Sequence, residues 1–156
     1  MEIENIKLIV TTLTIFIAMI ALVKGVFEYT KNNQLARANV FLELRKRFKE
    51  TSNFSRIIEY LDSHDSKLAQ VSKSDKLKFL GFFDDLAILI NSGLVDKIIA
   101  NQTFGFYVQK AWENPDMWWE DNTKESEYRM LLLWLYNEFK YIQKHDKRKK
   151  ISSYKF

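Results

Sequence analysis

Paired carboxylates can supply the general acid and general base of a hydrolytic site, and Asp84-Asp85 is the pair that invites this reading. The spacing argues against it. Neighbours on a helix do not face one another, so these two side chains cannot act on one bond. Asp84 falls within an apolar sector of its helix, where a lone carboxylate is costly to bury. The expectation is a buried ion pair with Arg129, with Arg56 and Arg45 as further candidate cations. The remaining reactive inventory is thin. The chain has no cysteine, and its two histidines, His64 and His145, are too far apart in sequence to give a metal-ligand spacing. Gly81, Gly93 and Gly105 are isolated, so no glycine-rich phosphate loop is present. No catalytic residue, metal, cofactor or small-molecule substrate is expected, and the chain reads as a non-enzyme.

The strongest signal lies in the elements that would position any chemistry. Residues 8–23, LIVTTLTIFIAMIALV, carry no charge and are bounded by Lys7 and Lys24. At about 1.5 Å per residue this core covers roughly 24 Å, a little less than a ~30 Å hydrocarbon layer. Ile3, Ile6, Val26 and Phe27 extend it, and the two lysines can snorkel toward headgroups. The preceding residues are acidic (Glu2, Glu4) and no small-x-small site precedes Gly25, which favours an uncleaved anchor over a signal peptide. Lys24, Lys31 and Arg37 follow the segment, so the rest of the chain is expected on the cytoplasmic side of a bacterial inner membrane.

Within the anchor, Lys7, Thr11, Thr14, Ala18, Ala21 and Gly25 recur at alternating steps of four and three. On an ideal helix these positions fall within about 40° of one line. A seam of small and weakly polar side chains lets helices approach closely in lipid. Ile9, Phe16, Met19 and Ile20 occupy the opposite side. The seam reads either as ordinary anchor composition or as a self-association or pore-lining face. Continued beyond the anchor, the same steps reach Glu28, Asn32, Leu35, Asn39 and Leu42, where Asn32 and Asn39 would line a pore or vestibule or simply be exposed.

The fold class expected is all-α, an N-terminal transmembrane helix continuing into a compact cytosolic helical bundle. Four glycines and one proline favour long helices with short links. Its parts are an anchor (1–27), a cytosolic helical domain (28–146) and a basic tail (147–156). After the long first helix, Ser52 or Ser55 offers a cap for a short one. A polar loop is expected over 62–73, then a central helix over 75–91 ended by Gly93. Helical stretches follow over 96–99 and 104–112, Pro115 breaks the chain, and Thr123 caps a last helix over 124–145. Trp112, Trp118 and Trp119 read as core packing around that corner, or as contacts with a membrane or partner. The basic tail reads as a solvated end, or as a contact for lipid or RNA phosphate.

Three stretches, 37–48 (RANVFLELRKRF), 82–96 (FFDDLAILINSGLVD) and Gly105-Phe106-Tyr107 followed by Trp112, resemble small bacterial single-pass membrane-anchored helical proteins. The same plan is similar to the membrane accessory proteins of RNA-targeting type VI CRISPR systems. That likeness implies a homo-oligomeric pore, a role in antiphage defence, and an RNA-guided effector protein or RNA as partner beside the lipid bilayer. It also implies a nuclease-like motif of an arginine followed by histidine. The nearest match runs from Lys140 to His145, with lysine in place of arginine, so the motif is degenerate. Lysine lacks the planar fork that engages phosphate at two points.

Overall fold

The structure is a computed structural model that describes residues 2–119 and 129–145, apart from the side chains of Glu2, Ile6, Ile9 and Val10. Its main elements are α1 (Glu2–Glu50), α2 (Ser52–Ser63), α3 (Lys73–Asn91), α4 (Lys97–Glu113) and α5 (Met130–His145). Short 3-10 turns occupy Ser66–Gln70 and Pro115–Met117. Among the described residues every element is helical, and the chain divides into two compact units, Met1–Asn39 and Val40–Phe156. This division falls at 39/40, further along α1 than the anchor boundary read from composition at 27/28.

The first unit is the part of α1 up to Asn39. Every described side chain from Ile3 to Asn39 is exposed, and α1 is the one described helix long and apolar enough to cross a membrane. Threonine is a poor helix former in water because its hydroxyl competes for backbone partners. Here that competition is settled locally. Thr11 donates to Lys7 O at 2.9 Å, and Thr12 donates to Leu8 O at 2.8 Å.

The second unit is built on rings. Leu44 and Phe48, near the end of α1, are buried against Phe54 of α2, Phe79, Phe82 and Phe83 of α3, and Phe104 of α4. Most of these rings meet edge to face or tilted, the arrangement their quadrupoles favour. α5 closes the core with Leu132, Leu135 and Phe139 against α3 and α4. α3 is buried on most sides through Phe79, Leu80, Phe82, Phe83, Leu86 and Ala87, as expected of a helix apolar nearly all round.

Local chemistry sets the boundaries, and in three places it differs from the sequence expectation. The cap of α2 is Thr51 rather than Ser52 or Ser55, and its hydroxyl is turned back to Arg47 O at 2.7 Å. The polar stretch 62–73 contains a turn, because the Asp65 carboxylate accepts from Lys67 N at 2.9 Å and the turn buries Leu68. Residues 97–113 form a single helix behind an Asp96 cap rather than two stretches, and Thr103 donates to Ile99 O at 3.0 Å where a break was expected. Ser72 caps α3, accepting from Asp75 N at 3.1 Å, and Gly93 takes the left-handed conformation (φ 72°) just past its end. The cap proposed at Thr123 and the basic tail lie outside the described residues.

Asp96 accepts from both Ile98 N (2.8 Å) and Ile99 N (3.0 Å), so it satisfies two of the orphan donors of α4. Asp96→Ala is expected to cost about 1 kcal/mol, with Asp96→Ser recovering most of it in chemical denaturation.

Candidate functional site

The residues singled out from sequence fall into three groups in space. The first is the seam of α1. Lys7, Thr11, Thr14, Ala18, Ala21 and Gly25 are all exposed along one helix, and Asn32 and Asn39 are exposed further along it. An alanine Cβ built at Gly25 would meet nothing within 4 Å, so the glycine answers no need inside this chain. Small residues on a solitary helix acquire a packing role only against something outside it. Ile9, assigned to the opposite side, is outside the described side chains, while Phe16, Met19 and Ile20 there are 62%, 55% and 67% exposed.

The second group is the ion pair. Arg129 Nη1 lies 3.4 Å from Asp84 Oδ2, and the two side chains are 7% and 21% exposed. Burial raises the Asp84 pKa above its ordinary value, while the Arg129 guanidinium pulls it down. The neighbouring Asp85 pushes it up and the Leu132 backbone N–H pulls it down. Asp84 Oδ1 has no hydrogen-bond partner among the described residues. Asp85 goes elsewhere: Arg47 Nη1 donates to its Oδ2 at 2.9 Å. The two carboxylates therefore serve different cations, as their adjacent positions on α3 require.

The third group is the Lys140–His145 stretch. Lys140 Nζ donates to Glu113 Oε1 at 3.1 Å and is also bonded to the Tyr136 hydroxyl, which itself donates to Glu113 Oε1 at 2.8 Å. These bonds raise the Lys140 pKa, the Tyr136 contact most. His145 Nδ1 faces Tyr141 O at 3.0 Å, and its ring stacks on Tyr141 at 4.2 Å between centroids. Among the described residues, Lys140 and His145 share no partner. Five residues apart on α5, they point about 140° away from each other around the helix.

The Glu113–Tyr136–Lys140 cluster was not foreseen. The four-residue spacing of Tyr136 and Lys140 put both on one face of α5, but nothing marked Glu113 as their partner on α4. Beside the cluster, Trp112 stacks on Tyr136 at 5.5 Å, and Trp118 meets Trp112 edge-on and donates from Nε1 to Trp112 O. Trp112, Trp118 and Trp119 are all half-buried around the turn at Pro115. His64 is exposed and takes the left-handed conformation at the end of α2, where Lys110 Nζ lies 2.8 Å from its Nε2. Lys76 is a buried lysine whose charge the sequence did not flag. It donates to Ala69 O at 3.2 Å, and burial lowers its pKa against the opposing pull of Asp116.

Among the described residues no group of three or more histidines and carboxylates is placed to hold a metal ion. No protein-family model, curated protein or solved structure matches this chain.

Proposed function

We propose that this chain is a membrane-anchored, all-helical effector that self-associates through the small-residue face of α1 and perturbs or permeates the membrane that holds it. One observation carries the reading. Residues 3–39 lie in a helix whose described side chains there are all exposed, and over residues 11–25 one face of it is regularly small while the opposite face is large and apolar. Lipid suits the large face. The small face gains most from another helix, because lipid tails pack poorly into a groove that a second backbone fills closely.

Flanking charge supports an inner-membrane location with the bundle on the cytoplasmic side, since Lys24, Lys31 and Arg37 follow the span. The resemblance in plan to membrane accessory proteins of RNA-targeting type VI CRISPR systems supports a role in antiphage defence. The geometry favours no enzyme: Lys140 and His145 are held by separate partners, and the two adjacent aspartates serve separate cations.

Dye release from liposomes, with mass measured in detergent, tests this directly. The expected result is leakage together with an assembly larger than one chain. Replacing Thr11, Thr14, Ala18 and Ala21 together by leucine is expected to return the mass to a single chain and to seal the vesicles. A wild-type monomer that leaves liposomes sealed would overturn the proposal. The alternative is a membrane-tethered interaction module without a pore, favoured by exposed aromatics on the bundle, Phe106 (52%) and Tyr141 (60%). It predicts sealed vesicles at every protein density.

A further inference from the structure

Beyond the membrane-crossing part, α1 continues as a stem through residues 28–39, and every side chain there is exposed. An isolated helix of that length is marginal in water. Its sequence shows what else could hold it. Thr11, Ala18, Gly25, Asn32 and Asn39 stand at exact seven-residue intervals, and Thr14, Ala21, Glu28, Leu35 and Leu42 form a second such row three residues on. These are the a and d rows of one heptad register, unbroken from the membrane segment into the stem. A strict seven-residue repeat drifts by about 20° per heptad on a straight helix, so keeping the rows facing a partner calls for a left-handed supercoil. Leu35 and Leu42 are 54% and 57% exposed at d positions. Over residues 40–50, Leu44 and Phe48 are buried in the bundle while Leu42 is not, so the d row is left uncovered there.

The flanking charges select the partner. The g positions are Lys24, Lys31, Ala38 and Arg45, and the e positions are Tyr29, Ala36, Glu43 and Glu50. In a parallel pair each g residue faces the e residue five places later on the other chain. Arg45 then meets Glu50 of the second copy, and no like charges meet between the g and e rows; Glu28, the one charged core position over residues 11–42, faces its own counterpart at d. In an antiparallel pair of stems g faces g and e faces e, which sets Lys24 against Arg45 and leaves Arg45 without Glu50. Asparagine at a positions favours two strands and fixes their register, because each amide bonds its counterpart only when in step.

We propose that the stem of α1 forms a parallel two-stranded coiled coil with a second copy of this chain, in register through Asn32, Leu35, Asn39 and Leu42. This rests on the self-association proposed above and narrows it, making a helix pair the unit from which any larger membrane assembly is built. The bond pairs and contacts involved are non-covalent, and the pair needs no ligand.

The absence of cysteine makes the test direct. Single variants Asn32→Cys, Asn39→Cys, Arg37→Cys and Ala18→Cys of the full chain are reconstituted in liposomes, oxidised, and run without reductant. Asn32→Cys and Asn39→Cys are both expected to give a dimer band. Arg37→Cys, at the outward f position, is expected to give on the order of tenfold less. Positions 32 and 39 lie about 10 Å apart along the axis, so an antiparallel pair can bring only one of them against itself. Arg45→Glu is expected to weaken the Asn39→Cys band, and Arg45→Glu with Glu50→Arg to restore it.

If Ala18→Cys cross-links while Asn32→Cys and Asn39→Cys do no better than Arg37→Cys, the stem is overturned and association within the membrane stands. If neither region cross-links, both readings fall. Cross-linking in the stem without Ala18→Cys keeps the coiled coil and removes the membrane seam. A charge reversal that fails to restore the band overturns the parallel g-to-e pairing.

Discussion

Phe48→Ala is expected to destabilise the bundle by about 3–5 kcal/mol, more than any other single truncation at the junction of α1 with its core. The ring is 6% exposed. Its centroid lies 5.1 Å from that of Phe82, 5.2 Å from Phe104 and 5.3 Å from Tyr107, with Phe79, Phe83 and Phe54 at 6.0, 6.1 and 6.2 Å. Three other helices therefore contribute rings to one side chain, and none can fill a phenyl-sized void without leaving its own contacts. The loss combines transfer free energy with the cost of that cavity. Phe48→Leu keeps most of the volume and is expected to cost less, with Ile88→Ala, at a side chain 53% exposed on α3, within about 0.5 kcal/mol of wild type. All four tryptophans lie in the bundle, so fluorescence during denaturant titration of the full chain in detergent reports the right unit. A Phe48→Ala midpoint equal to that of Ile88→Ala would remove the ring cluster as the keystone of the core.

That cluster illustrates which parts of the fold a sequence exposes. Periodicity marked α1, α3 and the apolar stripe of α5, and the structure makes them a continuous helix, a central helix and a core-facing helix. Long amphipathic or wholly apolar runs announce themselves because burial must repeat with the helical period. The misread segments are short and polar. The turn over Ser66–Gln70 depends on one carboxylate accepting one backbone N–H, and the unbroken α4 depends on Asn101, Gln102 and Thr103 staying helical through tertiary packing. Local propensity does not decide such cases. The candidate sites divide in the same way. The α1 seam is a one-dimensional pattern and could be read directly. The meeting of Glu113 with Tyr136 and Lys140 joins residues on different helices, and no spacing rule predicts it. Asp84 lies between these cases: its burial on α3 was legible, so a cation was required, and Arg129 was one of three named.

Arg129→Met is expected to cost about 3–5 kcal/mol at neutral pH, because it leaves the Asp84 carboxylate in a site with no other cation bonded to it among the described residues. Asp84→Asn is expected to be costly for the mirror reason, since Arg129, with a side chain 7% exposed, then carries an unneutralised charge. The double variant Asp84→Asn with Arg129→Met removes both charges and is expected to recover most of the loss. The coupling between the sites is then the excess of the two single losses over the double. Acidity gives an independent reading. Burial sets the folded Asp84 pKa above its ordinary value, so the folded chain holds that proton more tightly than the unfolded chain does. Stability contributed by this group therefore falls as pH rises from the ordinary aspartate value of about 4 through the raised folded value, and returns on acidification. Arg129→Met removes the main influence opposing burial, so its Asp84 pKa rises further and its penalty is expected to shrink steeply below neutrality. Asp84→Asn has no carboxylate to titrate at that position and is expected to show no such recovery. Denaturant midpoints of the three variants between about pH 4 and pH 7 check both claims together. Parallel pH profiles for Arg129→Met and Asp84→Asn would show that Asp84 bears no charge that the guanidinium must answer.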